Sequence, residues 1–202
     1  MLNRFRAFWG NLFTPLARLL LRLGVSPDLV TLVGTLGVCA GALVFFPRGQ
    51  LLIGVLVITA FVFSDIVDGT MARLSGRSSR FGAFLDSTLD RLGDAAIFGG
   101  LVMYYDGPGH SRGLAALALY CLVMGSVTSY ARARAESLGM EAKGGIAERA
   151  DRLVAILVMT GLSAIFGVPI LIPLTLAVLA VASTITVVQR VLAVRGQAKA
   201  TV

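Results

Sequence analysis

Six long apolar runs constrain this chain more than anything else in it. They cover roughly residues 28–46, 50–74, 82–105, 113–136, 149–167 and 169–194, the last with Pro173 inside it. At 1.5 Å rise per residue, about 20 residues cross the hydrocarbon core of a bilayer, so each run is long enough to span it as a helix. The composition agrees: 56% of the residues are hydrophobic and 14% charged, against about 45–50% and about 25% in a soluble domain. The expected fold is an all-α integral membrane protein with six transmembrane helices.

Ahead of the first run, residues 3–23 read as an amphipathic helix. Arg4, Arg6, Arg18 and Arg22 alternate with Phe5, Phe8, Trp9, Leu12, Phe13, Leu16 and Leu19. Such a helix lies in the membrane interface, with arginines toward anionic headgroups and the aromatic face below. It is no cleavable signal peptide, because the arginines are scattered through the apolar residues and no small-residue cleavage site follows. Ser26-Pro27 then reads as a cap and first helical residue. Two parts are expected: a cytoplasmic juxtamembrane helix over 1–25 and a six-helix membrane domain over 26–202.

Charge placement gives the orientation. If the N-terminal helix is cytoplasmic, all of the 18 Lys and Arg residues but Arg48 and Arg112 fall on that side, and the positive side faces the cytosol. Both termini and the acidic motif below are therefore expected at the cytoplasmic leaflet of the cell membrane. The net charge of +7 suggests nucleic acid at first sight. The basic residues border apolar spans instead of forming a soluble basic face, so membrane lipids are the expected partner and nucleic acid is not.

Five of the 11 acidic residues lie in one stretch: Asp65, Asp68, Asp86, Asp90 and Asp94. An ionised carboxylate inside or beside a membrane span is costly without a partner. Asp65 and Asp68 are three apart, and Asp86, Asp90 and Asp94 four apart, so each set shares one helix face. Two such faces opposed would form a pocket of oxygen ligands for hard divalent cations. Four carboxylates at about −4 match two such ions, and two metals ~3.5–4 Å apart suit in-line phosphoryl displacement. Gly69 and Ala72 clear side chains from the face beside the acids, and Arg73 offers a planar fork for phosphate. A structural ion network with Arg73, Arg77, Arg80 and Arg91 is the plainer use of the acids, but burying so many for packing alone is rarely favourable. A cation channel or proton relay is the other. The acids cluster at one leaflet, and none continues toward the far side.

Written as a pattern, the stretch reads Asp65-x2-Asp68-Gly69-x2-Ala72-Arg73-x8-Gly82-x3-Asp86-x3-Asp90. It resembles the signature of the CDP-alcohol phosphatidyltransferase family at every fixed position, and the six-span layout extends the likeness over nearly the whole chain. The resemblance implies that Asp65, Asp68 and Asp86 are ligands of two Mg²⁺ or Mn²⁺ ions. Asp90 would border the metals and act as general base on the acceptor hydroxyl, which attacks a CDP-linked lipid and expels CMP. Gly69, Ala72 and Arg73 would line the CDP site. Family members carry a Pro-Asn-x-x-Thr-like element at the start of the first span; here it is Pro27-Asp28-Leu29-Val30-Thr31, with Asp in place of Asn, and Thr31 is carried over as a CDP contact. Family members are usually homodimers.

The family divides by its acceptor alcohol. A phosphomonoester, at about −1.5 to −2, calls for a basic cluster that a free alcohol does not. Ser129, Arg132, Arg134 and Arg152, in segments similar to those of actinobacterial phosphatidylinositol-phosphate synthases, together with Arg195, are the expected acceptor-phosphate residues. That implies CDP-diacylglycerol and inositol 1-phosphate as substrates. Positive-inside topology alone is the plainer account of these arginines, and phosphatidylglycerophosphate synthase, acting on glycerol 3-phosphate, is the alternative enzyme. Asp94 either orients an acceptor or pairs with a basic residue. Gly34, Gly37 and Gly41 pack either within the subunit or between subunits. The Gly-rich loop 137–148 either moves on acceptor binding, with Lys143 contributing, or simply connects. His110, the sole histidine, is expected in a solvated loop without metal.

Overall fold

The structure, a computed structural model, describes residues 14–76 and 79–200, and within them all side chains but those of Asp65 and Ala200. The first part of the expected interfacial helix, residues 3–13, lies outside the described residues, as does Arg77. Residues 14–22 are helical (α1), and Ala17 packs fully buried against Val67 and Met71 of the later helix α4 (Ser64–Ser75).

Ser26 caps α2 (Pro27–Ala40) as the sequence predicts: its hydroxyl accepts from the Leu29 amide at 3.2 Å, with Pro27 opening the helix. The helix runs on through a π-turn (Gly41–Phe45) and a 3₁₀ turn (Phe46–Arg48), and stops at Gly49 in the left-handed region. The three glycines of this span face inward. A β-carbon on Gly37 would lie 2.2 Å from the Phe61 ring, and one on Gly41 would lie 2.9 Å from Ile58. They therefore serve close packing of α2 on the next span within the subunit.

That next span was expected to be continuous; it is two helices, α3 (Leu51–Val62) and α4. The break is at Phe63, whose carbonyl accepts from the Ile66 amide at 3.1 Å, a bond three residues long that tightens the turn. The acidic motif thus begins a helix of its own. α5 (Arg80–Asp106), α6 (Arg112–Ser137), α7 (Arg149–Phe166) and α8 (Leu171–Ala200) follow. α5 packs on α2 and α6, α6 on α8, and α7 on α3 and α8.

The core between them is apolar, with Phe46, Ile58, Ile97, Leu101, Ile156 and Leu176 all but inaccessible. Outside, Leu36, Leu56, Val123, Val154 and Val181 are exposed, as a lipid-facing surface requires. No strand occurs among the described residues. Four stretches, Pro27–Arg48, Leu51–Ser75, Arg112–Ser137 and Leu171–Lys199, are long and apolar enough to cross a membrane. The chain is an all-helical, multi-pass membrane protein.

Candidate active site

The acids of α4 and α5 meet beside the start of α2. Asp68, one turn into α4, is nearly inaccessible, and its Oδ2 accepts from Thr31 Oγ1 at 2.6 Å across 37 residues of sequence. This bond ties the Pro27–Thr31 element to the acidic motif. Ser79 caps α5 by accepting from the Gly82 amide at 2.8 Å. At Gly82 the start of α5 comes close to α2, since a β-carbon there would sit 3.1 Å from Ser79 Oγ and 3.2 Å from Asp28 Oδ1. Asp28 thereby joins the acidic group and is close enough for its charge to act on Asp68.

Asp86 lies one turn before Asp90 on α5, near enough to Asp68 and Asp90 for its charge to act on both. Asp86 is exposed and has no hydrogen bond or salt bridge among the described residues. The Asp65 side chain is not described; its backbone lies one position into α4. Around a β-carbon on Gly69 nothing lies within 4 Å, so the face beside the acids is open. Ala72 is half-buried on the same helix, and Arg73 is exposed, donating to Thr70 Oγ1 at 3.0 Å.

The donor set fits hard divalent cations. It is all oxygen, it is carboxylate-rich, and at Asp86 it has no compensating cation, which suits Mg²⁺ or Mn²⁺ over softer metals. Among the described residues no three acids already converge as a closed cage.

Asp90 and Asp94 are placed differently from the other acids. Arg149, the first residue of α7, donates to Asp90 Oδ1 from NH2 at 2.8 Å and to Asp94 Oδ1 from Nε at 2.9 Å. Arg91 lies 3.7 Å from Asp90 and 3.8 Å from Asp94. Of the two uses open to Asp94, pairing with a basic residue is the one the structure displays. The ion network uses Arg149 and Arg91, while Arg73 bonds Thr70 and Arg80 is exposed.

Beyond Asp90 opens a cavity of about 740 Å³ lined from α5, α6, α7 and α8, with Asp90, Ser129, Arg132, Arg149, Arg152 and Arg190 on its wall. Arg152 is 2% exposed, and its guanidinium donates to the carbonyls of Ala147 at 2.9 Å and Gly125 at 3.4 Å. Arg190, 5% exposed, donates to Gly144 O at 3.1 Å and Thr128 O at 2.6 Å. Among the described residues both guanidinium groups hydrogen-bond only neutral carbonyls, which leaves positive charge on a wall shared with Glu136 and Glu148 to receive an anion. Arg132, at the rim, pairs with Glu136 at 2.9 Å.

Two of the expected acceptor residues are not on this wall. Arg134 is exposed and bonds Ser137, and Arg195 is exposed near the end of α8. Arg190, and not Arg195, is the α8 arginine on this wall. Its signal was present in the sequence: Leu176, Leu179, Ser183, Thr186 and Arg190 recur every three or four residues along the buried stripe of α8, and Arg195 falls off it.

The loop between α6 and α7 is fastened at both ends. Gln197 accepts from the Glu141 amide at 2.8 Å and donates to its carbonyl at 2.6 Å. Gly145, at φ +135°, sits where a β-carbon would meet Thr186 at 2.3 Å. Lys143 pairs with Glu141 at the surface and does not line the cavity. His110 is exposed in the turn between α5 and α6.

A family model described as CDP-alcohol phosphatidyltransferase matches residues 24–188. A phosphatidylinositol phosphate synthase of Streptomyces avermitilis is 54% identical over 98% of this chain and 84% of its own length. One from Cutibacterium acnes is 52% identical over 96% of this chain and 98% of its own. Among solved structures, the phosphatidylinositol phosphate synthase of Mycobacterium tuberculosis with CDP-DAG bound superposes with a TM-score of 0.88 at 45% identity, covering 91% of this chain and 94% of that one. The same enzyme in complex with manganese and citrate gives a TM-score of 0.85 at 45% identity, covering 90% and 88%.

Proposed function

The chain belongs to the CDP-alcohol phosphatidyltransferase family, and on that footing we propose that it transfers the phosphatidyl group of CDP-diacylglycerol to the hydroxyl of inositol 1-phosphate. The products are phosphatidylinositol phosphate and CMP. The named relatives and the two buried, carbonyl-bonded arginines of the cavity support this reading. The single observation that carries the choice of a phosphorylated acceptor is that cavity: among the described residues Arg152 and Arg190 form no salt bridge, hydrogen-bond only carbonyls, and open beside Asp90.

Asp65, Asp68, Asp86 and Asp90 hold two divalent cations, Mg²⁺ or Mn²⁺, a choice supported by the manganese complex of the M. tuberculosis relative. Bound there, the metals supply charge stabilisation for the phosphoryl oxygens. Thr31, Gly69, Ala72 and Arg73 receive the CDP moiety; the open face at Gly69 leaves it room against the helix backbone. Ser129, Arg132, Arg152 and Arg190 orient the acceptor phosphate. Asp90 takes the proton of the acceptor hydroxyl, whose oxygen then forms a bond to the β-phosphorus of the CDP-lipid. The bond from that phosphorus to the CMP oxygen breaks, and CMP leaves.

Six crossings are proposed, the two beyond the four apolar stretches being α5 and α7. α5 has 27 residues, roughly 40 Å of helix, and all its charges but the terminal Asp106 lie in the half that faces the site. The interfacial helix, both termini and the site lie on the cytoplasmic side, where the Lys and Arg residues concentrate. Assembly as a homodimer is part of the same proposal.

An acceptor panel tests it. Purified protein with CDP-diacylglycerol and Mg²⁺ is offered radiolabelled inositol 1-phosphate, glycerol 3-phosphate or free inositol. Labelled lipid is expected from inositol 1-phosphate. Lipid from glycerol 3-phosphate alone would make the chain a phosphatidylglycerophosphate synthase, and lipid from free inositol would remove the role given to the arginines.

A further inference from the structure

Arg149 lies outside the acidic signature, yet it pairs with Asp90 at 2.8 Å, closer than Arg91 at 3.7 Å, and stands on the wall of the acceptor cavity. Its place is set by local sequence. Glu148 and Asp151 form a reciprocal capping box at the start of α7, with the Glu148 amide donating to Asp151 Oδ2 at 3.1 Å. That fixes where α7 begins and projects its first side chain across to α5.

There Arg149 uses its fork in two directions. Nε is held at 2.9 Å by Asp94 Oδ1, and NH2 reaches Asp90 Oδ1 at 2.8 Å and the Asp90 carbonyl at 3.5 Å. Asp94, one turn along α5, is the more buried of the two acids and holds the guanidinium plane in place. The second oxygen of Asp90 lies 3.7 Å from Arg91 and accepts no hydrogen bond among the described residues.

From this geometry we infer that Arg149, itself oriented by Asp94, is a positioning residue for Asp90. It occupies one carboxylate oxygen, so that the other is aimed at the reacting hydroxyl. The inference rests on the reading of Asp90 given above. A planar fork held at two points fixes a carboxylate better than the point charge of an ammonium. The clamp also places a positive charge against a metal-binding acid, so it opposes cation binding while it serves turnover.

That opposition gives the inference a signature that a purely structural ion pair lacks. Arg149→Met keeps the apolar stem and removes the fork. In the full detergent-solubilised chain it is expected to bind Mn²⁺ about tenfold more tightly, read from the electron paramagnetic resonance of the free ion without substrate. In the same variant kcat is expected to fall about 10–100-fold, with KM for CDP-diacylglycerol unchanged. Ethylguanidinium in the buffer is expected to recover part of the lost kcat, and Arg149→Lys to fall between Met and wild type. Asp94→Asn, which leaves Arg149 in place but loosens its plane, is expected to lower kcat less than Arg149→Met does.

Manganese affinity and turnover falling together, without rescue, would overturn the inference, as would full turnover in Arg149→Met. The manganese titration needs no acceptor. It therefore tests the clamp separately from the choice of inositol 1-phosphate.

Discussion

Asp90→Asn is expected to lower lipid product formation by about 10²–10⁴-fold, the usual contribution of a positioned general base, while the protein retains Mn²⁺ within about tenfold of wild type. The substitution keeps size and one ligating oxygen but removes the capacity to take a proton. Asp90 is suited to such a role by position. It lies on α5 between the acidic face shared with Asp86 and the cavity that holds Arg152 and Arg190, so a hydroxyl lodged in that cavity faces it. CMP release and manganese titration on the same preparation check the two halves of the expectation. Turnover within tenfold of wild type would take the base role away from Asp90, and loss of manganese would make its ligand role dominant.

The second large effect concerns the acceptor. Arg152→Met is expected to raise KM for inositol 1-phosphate by about 10–100-fold and leave KM for CDP-diacylglycerol unchanged. The scale follows from a hydrogen bond to a charged group, about 1.5–3 kcal/mol, at about 1.4 kcal/mol per factor of ten. The same change strips the Ala147 carbonyl of this donor, a buried orphan costs about 1–3 kcal/mol of stability, and the Gly125 carbonyl keeps Ser129 Oγ. A lower thermal midpoint is therefore expected alongside. Arg152→Lys separates the two effects, since it keeps the charge and loses the fork. An equal rise in both KM values would contradict a role confined to the acceptor.

The acidic motif is legible in the sequence as a pattern. The spacing of Asp65, Asp68, Asp86 and Asp90 is a helix-face pattern, and the structure sets Asp68 and Asp86 near one another on α4 and α5. Ser26-Pro27 was legible because capping is a local rule, and it starts α2 as predicted. The break at Phe63 was not, because the run from Leu51 to Ser75 is apolar throughout its first half and contains no proline to mark a stop. Thr31 could be proposed only from the family resemblance; its bond to Asp68 joins residues 37 apart and leaves no trace in local pattern.

The arginines show the same division. Their number on each side supports a proposed orientation, but which of them point inward depends on the phase of each helix. Arg190 continues the buried stripe of α8 and Arg195 leaves it. Arg149 gave no sign in composition, since a basic residue at the cytoplasmic end of a span is what topology alone predicts. Only the packing of α7 against its neighbours shows it bridging Asp90 and Asp94. The inward glycines were ambiguous for a similar reason: small residues permit close approach without naming the partner, and here the partners are Phe61 and Ile58 of the same subunit.

The most direct trial of the whole account is anomalous diffraction from crystals of the protein soaked in manganese. Two peaks are predicted about 3.5–4 Å apart, between α4 and α5 and within ligand distance of Asp65, Asp68, Asp86 and Asp90. Saturating manganese with no anomalous density among those carboxylates, or density only elsewhere on the chain, would contradict it.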